Sequence, residues 1–163
     1  MKKLLSLVLS AVMLSMACAG CGTKTEQGGA DAGNTIKIGV FEPTTGENGG
    51  GGVQEVLGIR YANSLRSSVK VGDTEYKVEL VEVDNQSDKT AAVTAAQNLV
   101  SAGVKAVLGS YGSGVSIAAG STFKDAKIPA IGVSCTNPQV TAGNDWYFRV
   151  CFLDPFQGTV MAN

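Results

Sequence analysis

Short runs of apolar residues alternate with longer amphipathic stretches along residues 35–150. Period-two patterns rich in β-branched residues and short apolar runs predict four strands and a fifth candidate. They cover Thr35–Phe41, Tyr76–Asp84, Val104–Leu108, Ile128–Val133 and, as the fifth candidate, Trp146–Val150.

Apolar residues at helical spacing follow the first three strands. They predict helices over 53–65, 91–102 and 115–126, and the four glycines Gly49–Gly52 are expected in the loop before the first helix. Ser87 and Asp88 are typical of a helix N-cap, and Gly103 is typical of a helix end.

This strand-helix alternation predicts an α/β fold of three αβα layers around a parallel sheet. In such sheets ligands bind at the carboxyl ends of the strands, so the loops after Phe41, Leu108 and Val133 are the candidates. The segments at the opposite edge, Ser67–Glu75 and Gly103, are expected to be structural.

Two of these loops are rich in hydroxyl groups. Gly109–Ser116 leaves a strand and opens a helix, and its glycines, serines and free N–H groups suit an anionic group, although a tight turn with serine caps fits this segment alone equally well. It matches no nucleotide-binding fingerprint. Because Ser134–Pro138 adds hydroxyls after the next strand, with no cationic residue expected nearby, the two loops together predict a site for one small carboxylate.

Two charged residues follow in the last predicted segments. Asp154 precedes Pro155 and is interpreted as a helix N-cap or as an acceptor for a ligand ammonium group, two compatible roles. Arg149 is interpreted as a structural ion-pair partner.

Composition excludes several classes of function. The formal net charge of −1, with 13 Lys and Arg against 14 Asp and Glu in mixed order, leaves no basic patch for nucleic acid. The absence of histidine argues against the usual hydrolases and zinc sites, so neither an enzyme nor a metal or cofactor is expected. Cys135 is interpreted as a small buried side chain, and a disulfide between Cys135 and Cys151 stays open.

The N-terminus has the layout of an export signal. Met1-Lys2-Lys3 precedes an apolar run from Leu4 to Ala17 and then Ala19-Gly20-Cys21. Residues 1–21 resemble a bacterial lipoprotein signal, in which Cys21 carries the acyl chains, and the polar residues 22–34 predict a flexible tether. Cys18 stands where that pattern usually has Leu, and an ordinary cleaved signal is the alternative.

Several motifs resemble the branched-chain amino acid group of ABC-transporter substrate-binding proteins, which have the type I periplasmic-binding fold. The motifs are Phe41–Gly46, Asp84–Ser87, Ser134–Pro138 and, as the longest, Tyr147–Gly158.

The resemblance implies a role for each of five residues. Ser113 and Thr136 would hold the ligand carboxylate, the carbonyl of Ser134 and the acid Asp154 would take the ammonium group, and Tyr111 would line the side-chain pocket. Cys135, in place of a smaller residue, and Gly51, in place of an aromatic, depart from the family pattern.

The resemblance also implies the domain plan. Residues 35–152 would be lobe one, and 153–163 would be the hinge and the start of a truncated lobe two, with closure near Cys151–Pro155. The implied protein is a lipid-anchored, extracytoplasmic monomer, located in the periplasm or on the outer cell surface, that captures a small amino acid and delivers it to an ABC permease. A sensor that reports to a membrane receptor is the alternative. An exported enzyme with Cys135 or Ser113 as nucleophile is a third and weaker hypothesis.

Overall fold

A computed structural model describes residues 33–163. Its strands are β1 (Thr35–Glu42), β2 (Ser68–Val71), β3 (Thr74–Asp84), β4 (Ala106–Leu108), β5 (Ala130–Gly132) and β6 (Tyr147–Arg149). Its helices are α1 (Gly49–Leu65), α2 (Lys89–Ser101), α3 (Ser113–Asp125) and α4 (Asp154–Ala162), with a 3₁₀ turn at Pro138–Val140. The six strands form one sheet in the order β2-β3-β1-β4-β5-β6.

Five of the strands are parallel, as the predicted α/β fold requires. Side chains alternate between the two faces of the sheet, which are covered by different helices. Helices α2 and α3 pack together on one face over Phe41, Val107 and Ala130. Helix α1 lies on the other face, where a groove of about 490 Å³ separates it from Ile38, Leu80 and neighbouring apolar residues. The three-layer prediction is therefore confirmed.

The core on the α2–α3 side is built around aromatic contacts. Phe41 and Phe123 are fully buried and meet edge to face, with their ring centroids 5.5 Å apart. Small residues of α2, among them Ala92 and Ala96, let this helix pack closely on the sheet. This core fixes β1 and β4 side by side, so their carboxyl ends open at the same edge.

The segment 67–75 is not the connecting loop that the sequence predicts. It contains β2, which pairs antiparallel with β3 through a tight turn at Gly72, where φ is +60°. Most of β2 is exposed, as suits a short edge strand with a lysine at its centre. The sheet is therefore mixed at this edge and parallel elsewhere.

The four glycines at 49–52 also differ from the prediction, because they form the first turn of α1. Gly51 and Gly52 are close-approach positions. A Cβ atom added to Gly51 would lie 2.5 Å from the Tyr111 ring, and one added to Gly52 would collide with the backbone of Pro43. Glycine therefore allows α1 to start directly against two neighbouring loops.

The predicted ends of α2 are confirmed, whereas the cap of α4 is not. Asp88 caps α2 by accepting hydrogen bonds from the amides of Thr90 and Ala91, at 2.9 and 2.8 Å, and Gly103 follows the helix with φ at +76°. Asp154 is the first residue of α4 rather than its N-cap, and α4 has no side-chain cap hydrogen bond. No residue of α4 is buried.

The predicted signal, its Cys21 and most of the tether lie outside the described residues. Within residues 33–163, no helix is long and apolar enough to span a membrane. Cys135 and Cys151 are both free thiols, so the open possibility of a disulfide is not realised here.

Candidate functional site

The two hydroxyl-rich loops adjoin at the carboxyl edge of the sheet. One follows β4 and leads into α3 (the β4–α3 loop, 109–112), and the other follows β5 (the β5–β6 loop, 133–146). The amide of Asn137 donates to Oγ of Ser113 at 3.1 Å, which joins the two loops directly. Ser113 is thereby brought next to the residue that follows Thr136.

The hydroxyls at this junction keep their hydrogen-bonding capacity. Because the oxygen of Ser113 accepts from Asn137, its proton is still available to a ligand oxygen. Among residues 33–163, the Thr136 hydroxyl has no hydrogen-bond partner, and the N-terminus of α3 at Gly112 has no side-chain cap. Hydroxyl protons and bare helix amides are the groups that bind a carboxylate.

Ser134 and Asp154 lie at the same junction and differ in how they face it. Ser134 is half-buried and its hydroxyl donates to Oε1 of Glu55, which leaves the serine oxygen as an acceptor. The amide of Asp154 donates to the carbonyl of Thr136 at 3.1 Å, while its carboxylate is exposed. The structure therefore places all four predicted polar residues around one junction.

Arg149 supports the β5–β6 loop from behind. Its guanidinium donates to the carbonyls of Cys135 and Asn137 at 2.9 Å each, and to Pro138 and Thr141 Oγ1. The predicted ion pair is thus wrong, because backbone carbonyls and a hydroxyl, rather than a carboxylate, satisfy this side chain.

The expectation of no nearby cation is wrong as well. Arg149 lies directly behind the loop that carries Thr136. Lys89, the first residue of α2, also approaches the start of α3: its Cε would be 3.5 Å from a Cβ atom added to Gly114. Lys89 comes from a distant part of the chain and Arg149 from the strand that follows the loop, and both make the junction more favourable to an anion.

Tyr111 belongs to the β4–α3 loop and packs against the start of α1. Its ring packs on Gly51 and is 38% exposed at the edge of the site. Its backbone amide donates to Oε2 of Glu42 at 2.6 Å. The glycine that departs from the family pattern is therefore covered by the tyrosine ring, which takes the space that a larger side chain would fill.

Sequence reasoning missed two glutamates beneath the site. Glu42 ends β1 and is fully buried. Burial, followed by a hydrogen bond with Glu55, raises the pKa of Glu42 to about 9, against the lowering effect of the Tyr111 amide. The available signal was a charged residue between Phe41 and Pro43, at the end of an apolar strand.

The loops around this pair are held by further side chains. Asn85 is buried and donates to Oγ of Ser110 at 2.8 Å. Asp84 accepts from the amide of Thr44 at 2.9 Å and from the Thr45 hydroxyl at 2.6 Å. Burial raises the pKa of Asp84, but these hydrogen bonds outweigh it and lower the pKa to about 2. The motifs 41–46 and 84–87 thus fix each other.

Cys135 is fully buried behind the site. Burial raises the pKa of its thiol to about 11, so the thiol is protonated at neutral pH and unsuited to nucleophilic attack. Within residues 33–163, no group of three or more acidic or cysteine side chains could hold a metal ion.

Comparison with known proteins places this chain in a family. The periplasmic binding protein family matches residues 35–163. A Leu/Ile/Val-binding protein homologue of Brucella abortus is 31% identical over 147 residues, which are 90% of this chain and 39% of the relative. An amino acid binding protein of Pseudomonas aeruginosa is 35% identical over 77% of this chain and 34% of the relative.

Solved structures agree with the sequence relatives. A leucine binding protein of Thermotoga maritima superposes with a TM-score of 0.73 at 36% identity, over 78% of this chain and 36% of that one. A branched-chain amino acid transporter substrate-binding protein of Streptococcus pneumoniae, solved with isoleucine, gives a TM-score of 0.72 at 30% identity, over 80% and 37%. The chain thus spans well under half the length of the relatives it matches. It belongs to the periplasmic binding protein family, with the α/β lobe that the resemblance predicted.

Proposed function

We propose that this chain is the first lobe of an extracytoplasmic substrate-binding lipoprotein that captures a small amino acid of the branched-chain type for an ABC importer. Ser113 and Thr136 hold the ligand carboxylate with the bare amides of α3. The carbonyl and hydroxyl oxygens of Ser134 accept from its ammonium group, with Asp154 beside them. Tyr111 bounds the space for the aliphatic side chain.

One observation carries this proposal: the hydrogen bond from the Asn137 amide to Ser113 Oγ. It joins two loops whose free hydroxyls and amides complement a carboxylate, beside oxygens that complement an ammonium group. Names of relatives that bind leucine, isoleucine or valine favour an aliphatic amino acid. Nothing in this arrangement activates a nucleophile, which favours capture over reaction.

Delivery to a permease and anchoring through Cys21 complete the proposal. They depend on the export signal and on family membership. Ligand capture would stabilise a closed arrangement of two lobes about the segment 151–155, as a shift between pre-existing states.

Calorimetry of the full-length protein against a panel of amino acids tests this function. We expect heat with leucine, isoleucine or valine. Replacing both Ser113 and Thr136 by Ala should weaken binding at least about 100-fold, because two hydrogen bonds to a charged group are lost at about 1.5 kcal/mol or more each.

Ser64→Ala with Thr94→Ala is the matched control. Both hydroxyls bond only to carbonyls of their own helices, α1 and α2, and removing them should leave affinity unchanged. No heat with any amino acid, or equal affinities for the site and control variants, would contradict the proposal.

A further inference from the structure

We infer that Glu42 and Glu55 form a carboxyl pair that shares one proton and positions the proposed amino-acid site. The pair joins the β4–α3 loop, which carries Tyr111, to the β5–β6 loop, which carries Ser134. The inference rests on the proposed function for its ligand and on geometry for the pair itself. Neither glutamate is among the residues that the resemblance assigns to the ligand.

The outer oxygens of the pair hold one loop each. Oε2 of Glu42 accepts from the Tyr111 amide at 2.6 Å, and Oε1 of Glu55 accepts from the Ser134 hydroxyl. The two glutamates come from β1 and α1, so the pair ties a strand, a helix and both loops together. Loss of either carboxyl would release one loop from this connection.

The other oxygen of each carboxyl group indicates that the pair holds a proton. Oε1 of Glu42 and Oε2 of Glu55 are buried and have no donor among residues 33–163. Two buried carboxylates left facing each other are strongly unfavourable, whereas one proton between them satisfies both oxygens. The causes that raise the pKa of Glu42 are burial first and then its hydrogen bond with Glu55, which agrees with this arrangement.

Other charges near the pair do not replace that proton. The titratable groups facing Glu42 are Glu55 from α1 and Tyr147 from β6, and the Tyr147 hydroxyl donates to the carbonyl of Gly109 at 2.8 Å. Within residues 33–163, no lysine or arginine bonds to either glutamate. Glu42 therefore stays protonated at neutral pH and shares its proton with Glu55.

The hydrogen bond from Ser134 to Glu55 has a use at the site. Because the Ser134 hydroxyl donates a hydrogen bond to Oε1 of Glu55, its oxygen remains free to accept one from a ligand. That arrangement favours an ammonium group. When Glu42 loses its proton at high pH, the two carboxylates repel and the two loops separate.

The test compares wild type with Glu42→Gln and Glu42→Ala in the full-length protein. In Glu42→Gln the side-chain amide can still accept from Tyr111 and donate to Glu55, so leucine affinity at pH 7 should stay within about threefold of wild type. Glu42→Ala should weaken it at least about tenfold, because the Tyr111 amide loses its acceptor. Between about pH 7 and 10, wild type should lose more affinity than Glu42→Gln, since titration of the ligand ammonium affects both proteins equally.

A second readout does not need ligand. The ¹⁵N–¹H resonance of the Tyr111 amide should shift with pH above about 8 in wild type and stay constant in Glu42→Gln. If no amino acid binds, the proposed function fails, and this resonance still decides the pair. Should Glu42→Ala not fold, Glu55→Gln replaces it and should move the Tyr111 titration to lower pH. Identical pH profiles of wild type and Glu42→Gln, in binding and in the amide shift, would overturn the inference.

Discussion

Gly51 and Tyr111 form a close contact at the edge of the proposed site. The helix starts on glycine at this point because the tyrosine ring lies where a side chain would project. Gly50, its neighbour in the same turn, has open space around it. The two glycines therefore occupy the same helical turn and meet different surroundings.

This difference gives a prediction for Gly51→Ala and Gly50→Ala. Gly50→Ala should raise the free energy of unfolding by up to about 1 kcal/mol, because alanine loses less backbone entropy in a helix. Gly51→Ala should be less stable than Gly50→Ala by up to about 1 kcal/mol, because the new methyl group displaces the partly exposed tyrosine ring. Chemical denaturation of both variants measures this, and equal stabilities would contradict it.

At this scale the sequence was informative about exposed polar groups and uninformative about buried ones. Hydroxyls after strand ends are recognisable because their neighbours in the chain are small and polar, and the structure brings Ser113 and Thr136 together. Glu42 and Glu55 belong to a strand and a helix, and only tertiary contact turns them into a pair. Asp154 was misjudged as a cap because helix ends are the least certain part of any sequence interpretation.

The β5–β6 loop is the element on which the site depends most. It has little regular structure, yet the carbonyls of Cys135 and Asn137 converge on one guanidinium. Only a planar fork with several donors satisfies that many acceptors at once. Arg149 therefore determines the shape of the loop that presents Thr136.

We predict that Arg149→Lys lowers the free energy of unfolding by about 1.5–3 kcal/mol, since a single ammonium cannot replace hydrogen bonds from a charged fork. It should also weaken amino acid binding through Thr136. Arg60→Lys is the matched control. Arg60 forms an exposed ion pair with Glu82 at 2.6 Å, and its replacement should change stability by less than about 1 kcal/mol.

Denaturation of the two variants side by side, with calorimetry of each, provides the measurement. Similar losses for Arg149→Lys and Arg60→Lys would show that the loop does not need the fork. A stable Arg149→Lys variant with wild-type affinity would contradict the role of Arg149 altogether.

Among the elements, strands and helices with clear periodicity were predictable and short edge features were not. Strand β3 and helix α2 follow their patterns closely. Strand β2 has only four residues, most of them exposed, so hydrophobic periodicity could not distinguish it from a loop. The sequence predicts a loop for the glycines of α1, because residues 49–52 alone do not indicate the close contacts with Pro43 and Tyr111 that favour glycine in this turn.

For the whole molecule, the predicted lipid anchor determines the expected location of the protein, and acylation of Cys21 can be tested directly. We predict that Cys21→Ala abolishes incorporation of labelled palmitate and moves the full-length protein from the membrane fraction to the soluble exported fraction. The reason is that acyl chains supply the membrane affinity, about 0.8 kcal/mol per buried CH₂ group.

Cys18→Ala is the control for that experiment, because it removes a nearby thiol of the same signal segment and should leave labelling intact. Loss of labelling in Cys18→Ala would indicate that Cys18, rather than Cys21, carries the acyl chains. Labelling that survives both changes would contradict the lipoprotein signal.

Thr136 and Asp154 are one hydrogen bond apart, and α4 has no buried residue to hold it elsewhere. The residue proposed to grip the carboxylate is thus linked to the first residue of the segment leaving the sheet. A movement of α4 must either break this hydrogen bond or displace the loop that carries Thr136. Ligand binding and the orientation of α4 are then thermodynamically coupled. If the bound ligand favours one orientation of α4, that orientation binds the ligand more tightly by the same free energy.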